Sequence, residues 1–313
     1  MPSSKKFRMQ KKLFSFLDGY DEVKDFLKAQ RKQNRKAKRI IGDPHPFLKW
    51  AGGKRQLIPQ MDEYFPDDFH RYIEPFVGGG AIFFYLLPEK AILNDINSDL
   101  INCYRVIKSE VIPLIHALKR HENEEDYYYE IRKKDRMEEY SNWSAVKKAS
   151  RIIYLNRCCY NGLYRVNSKG QFNVPFGRYK NPTFCDQENL MAIHKALQNT
   201  KLLNKSYEFV LDLAQKGDFI YFDPPYHPIS ESSSFTSYTK NDFGKTDQKN
   251  LAEIYHKLDK KGCYLMLSNS YCQFITDLYE KYEINLIKAS RAINSDASKR
   301  GPIKEVLVLN YSP

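Results

Sequence analysis

Between Arg71 and Asp95 the chain reads Arg71-Tyr-Ile-Glu-Pro-Phe-Val-Gly-Gly-Gly80, then a helical stretch Ala81–Leu87, then Ala91-Ile-Leu-Asn-Asp95. A short apolar strand, a glycine turn, a helix and a second strand ending in an acid leave few folds open. Parallel strands need a crossover helix, and the helices then cover the sheet's faces. The alternation continues with strands at Lys201–Leu203, Asp218–Phe222 and Cys263–Leu267 and helices at Thr246–Leu258 and Cys272–Tyr279. Strands Ile284–Lys288 and Glu305–Asn310 follow with no helix between them. The pattern predicts an α/β fold: a Rossmann-like, mostly parallel sheet with helices on both faces and an antiparallel edge. A length of 313 residues accommodates one large domain with an insertion, or two modest ones. A helix is also expected over Arg55–Tyr64, and mostly helix over Leu100–Asn156.

The same segment suggests a ligand. Glycines let a ligand approach the backbone closely, and Asp95 suits the hydroxyls of a ribose. The turn is not GxGxxG, and no cluster of positive charge awaits a pyrophosphate. A nucleoside lacking a diphosphate fits better than a dinucleotide, and S-adenosylmethionine meets that description. Upstream, Phe47-Leu-Lys-Trp-Ala-Gly-Gly-Lys54 places a flat apolar wall (Trp50) and a cation (Lys54) around a Gly-Gly turn. Taken alone, that second signal is weak, since Trp50 reads equally well as core.

Asp218-Phe-Ile-Tyr-Phe-Asp-Pro-Pro-Tyr226 is an apolar strand that stops abruptly. Pro224 and Pro225 have no N–H, so the backbone there offers only acceptors. A carboxylate, bare carbonyls and an aromatic face make a pocket for a planar base carrying an amino group. Adenine's amino group is a poor nucleophile because its lone pair is delocalised into the ring. Asp223 accepting from one N–H and the Pro224 carbonyl from the other would help it pyramidalise, with Tyr226 stacked on the ring. A base in a duplex must first leave the stack.

Net charge is +12, but the first 40 residues carry +9 of it, so the remaining body is only mildly basic. That N-terminal segment (1–46) reads either as a solvated basic extension or as an arm adding non-specific phosphate contacts, with a boundary at Gly42–Pro46. From Asn156 to Lys180, basic residues alternate with Tyr, Asn and Gln around a turn at Asn167–Gly170. This is a β-hairpin pattern suited to phosphate positioning, base-edge contact and stacking. The bland reading, an exposed Gly/Asn-rich hairpin, is equally open on composition. Tyr127–Tyr129 and Arg132–Glu139 read as a solvated helix face without chemistry. A polar loop, Ser230–Gly244, reads as a flap over the site. Six cysteines without CxxC or paired histidines suggest a reduced compartment and no structural metal. No apolar run is long enough to span a bilayer, and the expected location is cytoplasmic and nucleoid-associated.

Six segments taken together resemble the Dam-type DNA adenine-N6 methyltransferases, in that family's order. They are FLKWAGGK (47–54), EPFVGGG (74–80), NDINSD (94–99), GQFNVPFGRY (170–179), DPPY (223–226) and RAINSDASKRGPIKEVLVLNY (291–311). The resemblance implies that Trp50, Lys54, Phe76, Gly78, Asp95 and Asp223 bind S-adenosylmethionine, and that Asp223, Pro224, Pro225 and Tyr226 hold the target adenine. It implies that Tyr160, Asn161 and Leu163 enter the duplex, and that Arg165, Pro175 and Arg178 read the site, usually GATC. No metal is expected. The implied organisation is a catalytic domain from 47–108 and 200–313, with an inserted helical/β-hairpin target-recognition domain at 109–199. The partner is double-stranded DNA and not a membrane. Pairing with a restriction endonuclease is open, and the enzyme is expected as a monomer or a weak dimer on DNA. Two other readings remain: a methyltransferase acting on another nucleic-acid amine, and a non-catalytic DNA-binding regulator of the same fold. Aspartate at 223 and the intact cofactor positions weigh against both.

Overall fold

A computed structural model describes residues 42–228, 243–290 and 302–312, with only the backbone described at 289, 290, 302 and 303. The basic segment up to Ile41, most of the expected flap and the loop Arg291–Gly301 lie outside the described residues.

Expected as one helix, Arg55–Tyr64 is instead a 3-10 turn (Lys54–Gln56), a single helical turn α1 (Ile58–Met61) and a second 3-10 turn (Asp62–Tyr64). Pro59 explains the break, because its ring would clash with the Arg55 carbonyl and it has no N–H to donate. Strand β1 (Tyr72–Glu74), helix α2 (Ala81–Leu86) and strand β2 (Ala91–Asn94) follow. Helices α3 (Ser98–Ser109), α4 (Val111–Leu118), α5 (Glu125–Lys133) and α6 (Ala145–Cys158) come next. Asn97 and Ser144 cap α3 and α6 by accepting from Leu100 and Lys147 N–H. Beyond an irregular stretch lie α7 (Gln187–Ala196), β3 (Thr200–Leu203), α8 (Val210–Leu213) and β4 (Phe219–Phe222). The chain then forms α9 (Lys245–Lys260), β5 (Tyr264–Ser270), α10 (Gln273–Leu278), β6 (Glu283–Ser290) and β7 (Pro302–Leu309).

The described strands form one seven-stranded sheet in the order β3-β2-β1-β4-β5-β7-β6. The first five are parallel, and β7 pairs antiparallel with both β5 and β6, so the expected mostly parallel sheet with an antiparallel edge is present. Side chains alternate between two cores. Tyr72, Phe219 and Tyr221 face one with α3, α4 and α6, whereas Ile73, Ile220 and Phe222 face the other with α9 and α10. Arg71 holds fully buried Asp218 at 2.6 Å and so joins the entries to β1 and β4. Strand order reverses between β1 and β4, which opens a crevice at their carboxyl ends. Among the described residues, no helix is long and apolar enough to cross a membrane.

Candidate active site

Asp223 leaves the end of β4 inside that crevice. Lys54 Nζ lies 2.8 Å from Asp223 Oδ1, donates to the Gly52 carbonyl at 2.7 Å, and stands 4.7 Å from the Tyr226 ring centroid. Lys54 is only 4% exposed, a burial an ammonium tolerates because it is paired on every side. Burial pushes the Asp223 carboxyl up to about 6, although Lys54 opposes the rise.

Beyond β1, Gly78 has φ +47°, and a Cβ there would stand 2.8 Å from Trp50 Cδ1, so only glycine fits beneath the indole. Gly78 N–H donates to Asp95 Oδ2 at 3.0 Å and Asn97 N–H to Asp95 Oδ1 at 2.9 Å. Burial outweighs these bonds and a third from Ile96 N–H, and pushes Asp95 up to about 6. The Trp50 ring is 5.1 Å from Tyr164, whose hydroxyl donates to Asp99. Phe76 stacks on Tyr207 and meets Phe243 edge-on. These expected cofactor positions therefore converge on the ends of β1, β2 and β4.

Four residues around this crevice escaped the sequence reading. Glu74 is 2% exposed beside the Tyr72 hydroxyl, and burial, with Asp223 and Asp95 nearby, holds its carboxyl well above the usual range although Tyr72 opposes the rise. Buried Gln248 donates to the Pro225 carbonyl at 2.9 Å and accepts from buried Asn269, which also accepts from His227 N–H. These bonds fix the double-proline turn from behind. Among the described residues no donor reaches the Pro224 carbonyl, which stays an available acceptor. The Tyr226 hydroxyl donates to Glu305 Oε2 at 2.7 Å. The available signal was polar residues at the carboxyl end of β5 and an acid inside the apolar run of β7.

The expected DNA-reading residues share one segment. Tyr160 (55% exposed), Asn161, Arg165, Pro175 and Arg178 (77% exposed) face outward, while Leu163 packs against the core. Asn161 and Arg178 both have φ +54°, uncommon for non-glycine residues and a mark of an over-determined backbone. Arg165 binds Asn173 at 2.8 Å, and Arg178 meets Glu125 at 3.3 Å. The hairpin's ladder is thin, with single bridges at Val166–Phe172 and Cys159–Phe176 around the Asn167 turn. Helix α5 and the turn after it supply the rest. Tyr128 and Arg132 donate to the Val174 carbonyl, Arg136 to the Phe172 carbonyl, and Phe172 N–H to Asp135, which also binds buried Arg151 at 2.7 Å. The stretch expected to be a solvated face is thus the hairpin's clamp, and Tyr128 is fully buried. Asn156 links the two regions: it accepts from Lys49 N–H and donates to the Lys49 and Gly162 carbonyls, beside Trp50.

Fold and crevice together define a Rossmann-like enzyme that brings an acid, one available carbonyl and an aromatic face to its switch point. Residues 50–293 match the D12 class N6 adenine-specific DNA methyltransferases, and the chain belongs to that family. It is 47% identical over 270 residues to a Type II methyltransferase of Lactococcus lactis subsp. cremoris, covering 85% of this chain and 95% of that protein. It is equally 47% identical over 286 residues to a Type II methyltransferase of Methanocaldococcus jannaschii, covering 85% and 99%. A DNA adenine methylase of Vibrio cholerae is 38% identical over 268 residues, covering 84% and 95%. The protein is an adenine-specific DNA methyltransferase, as its motifs led one to expect.

Proposed function

We propose that the enzyme takes a methyl group from S-adenosylmethionine and delivers it to N6 of an adenine swung out of duplex DNA, within GATC. The Asp223-Pro224-Pro225-Tyr226 turn carries this reading: a carboxylate, an available carbonyl and a ring face stand together where the strand order reverses. The charge balance supports the methyl donor. Among the described residues, Glu74, Asp95 and Asp223 bring three carboxyl groups to the crevice and Lys54 pairs with Asp223, which suits a ligand bearing sulfonium and ammonium cations. Trp50, Lys54, Phe76, Gly78, Asp95 and Asp223 would hold it, and it supplies a methyl on a positively charged sulfur, a strong electrophile. Asp223 and the Pro224 carbonyl accept from the two N–H bonds of the amino group, and Tyr226 stacks on the base.

Residues 47–108 and 200–313 form the catalytic part and 109–199 the target-recognition part. Tyr160, Asn161 and Leu163 fill the gap left by the extruded base, and Arg165, Pro175 and Arg178 read the site. Relatives named as Type II methyltransferases support service beside a restriction endonuclease. Monomer or weak dimer on DNA, and a cytoplasmic, nucleoid-associated location, complete the reading. The test is methyl transfer to a library of duplexes, read out by position and nucleoside. N6-methyladenine confined to GATC is expected; label in N4-methylcytosine, or methylation spread over unrelated sequences, defeats the assignment.

A further inference from the structure

Glu305 lies on β7 opposite Ser270 of β5, at the head of the buried apolar run Val306–Leu309. An acid beside such a run needs a partner, and it has one: Tyr226 donates to it at 2.7 Å, a well-formed hydrogen bond. The nearby basic residue turns elsewhere, since Lys304 Nζ lies over the Tyr271 ring. Among the described residues, no cation pairs with Glu305. Asp223 differs, because Lys54 at 2.8 Å offsets its charge. Among the described residues, then, the carboxylate that Tyr226 holds has no cation beside it, whereas Asp223 has Lys54.

That charge acts through the phenol. A hydroxyl donating to a carboxylate shifts electron density into its ring, and a more electron-rich face attracts cations more strongly. The resting site already shows this preference, for the Lys54 ammonium sits over the Tyr226 ring at 4.7 Å from its centroid. Methyl transfer needs the same property. The amino nitrogen's lone pair forms the N–C bond, the C–S bond breaks with its pair going to sulfur, and positive charge moves onto nitrogen. The nitrogen then loses one proton to Asp223 or water.

We propose that Glu305 is a positioning residue for methyl transfer: through the Tyr226 hydroxyl it aims the ring at the target base and strengthens that face as a partner for positive charge developing on the amino nitrogen. This rests on the adenine reading above. It assigns the last strand a role in the chemistry in addition to its place in the sheet.

The test combines Glu305→Gln, which keeps an acceptor and removes the charge, with Tyr226→Phe, which keeps the ring and removes the link. Single-turnover transfer, extrusion of 2-aminopurine in duplex DNA, and S-adenosylmethionine affinity are measured for both singles and the double variant. Each single is expected to slow transfer about tenfold with extrusion and affinity unchanged, and the double to be no slower than the slower single. Wild-type transfer rates in Glu305→Gln, or losses that multiply in the double, overturn the proposal. Should Glu305→Gln fail to fold, Tyr226→Phe decides alone: slowed transfer with normal extrusion supports the link, and an unchanged rate removes it. Failure of the adenine reading looks different, because the unmodified enzyme would then make no N6-methyladenine.

Discussion

The crevice at the switch point and the segment 156–180 hold their functional groups in opposite ways. In the crevice the groups themselves are withdrawn from water: Lys54 and Glu74 are buried, Asp95 is half-buried, and their partners lie within the crevice itself. In the other region Tyr160, Arg165, Pro175 and Arg178 are exposed, and burial falls on what stands behind them, Tyr128 and Arg151 above all. A reacting centre gains from excluded water, which strengthens every electrostatic contact inside it. A reading surface must stay wet until DNA arrives, so its rigidity has to be imported. The difference predicts that damage to the two regions separates chemistry from recognition.

The largest separation is expected from Asp223→Ala. Transfer should fall at least ~10³-fold, since an acceptor aimed at the reacting amine is lost in a dry site. DNA binding should be nearly intact in a filter-binding or fluorescence titration, and substantial residual turnover would sink the assigned role. Asp135→Ala should do the reverse. It leaves Arg151, 2% exposed, without its carboxylate and frees Phe172 N–H, which costs about 3 kcal/mol of stability in a denaturant melt. Discrimination between sites should degrade while S-adenosylmethionine still binds. Loss of cofactor binding with discrimination preserved would show that the two regions are not separable.

How much of each region was legible follows from the same contrast. The crevice is made by short motifs whose residues act near their own position: the glycine turn, Asp95 one residue beyond β2, and Asp223-Pro224-Pro225-Tyr226 after β4. Strand alternation placed all three at one end of one sheet. Glu305 and Gln248 were not legible because they meet the turn only through pairing of β7 with β5 and packing of α9. The hairpin was half legible. Its turn and basic residues showed, but its clamp came from a Tyr-Tyr-Tyr stretch whose charged neighbours looked solvated. Tyr128, Arg132, Asp135 and Arg136 satisfy hairpin backbone groups some 40 residues away, and no local pattern reports that.

Arg178 sharpens the comparison at a single side chain. Arg178→Ala should weaken discrimination at one base pair by about 1–3 kcal/mol in competition methylation. Its φ of +54° offers a control, since Arg178→Gly relieves the backbone where Ala does not. If the two variants lose the same discrimination, the guanidinium carries the reading; uniform loss on all sequences would make Arg178 a phosphate contact.

The smallest expected effect concerns protons, and it pulls affinity and stability in opposite directions. Asp95 and Asp223 each titrate near 6, raised from the ordinary aspartate value by burial. Accepting from ribose hydroxyls at Asp95 and facing a cationic ligand at Asp223 both favour the ionised form. S-adenosylmethionine affinity should therefore fall between pH 7 and pH 5, by about tenfold for each carboxylate that must be charged. For the ligand-free fold the sign reverses. A raised folded-state pKa means the native protein holds more protons than the unfolded chain between about 4 and 6, so these two groups make it less stable as pH rises through that window. Calorimetric titration and ligand-free melts across the same buffers would show both slopes. Affinity that stays flat to pH 5 would mean that neither carboxylate holds the ligand through its ionised form, and would move cofactor recognition to Glu74 or to the aromatic walls.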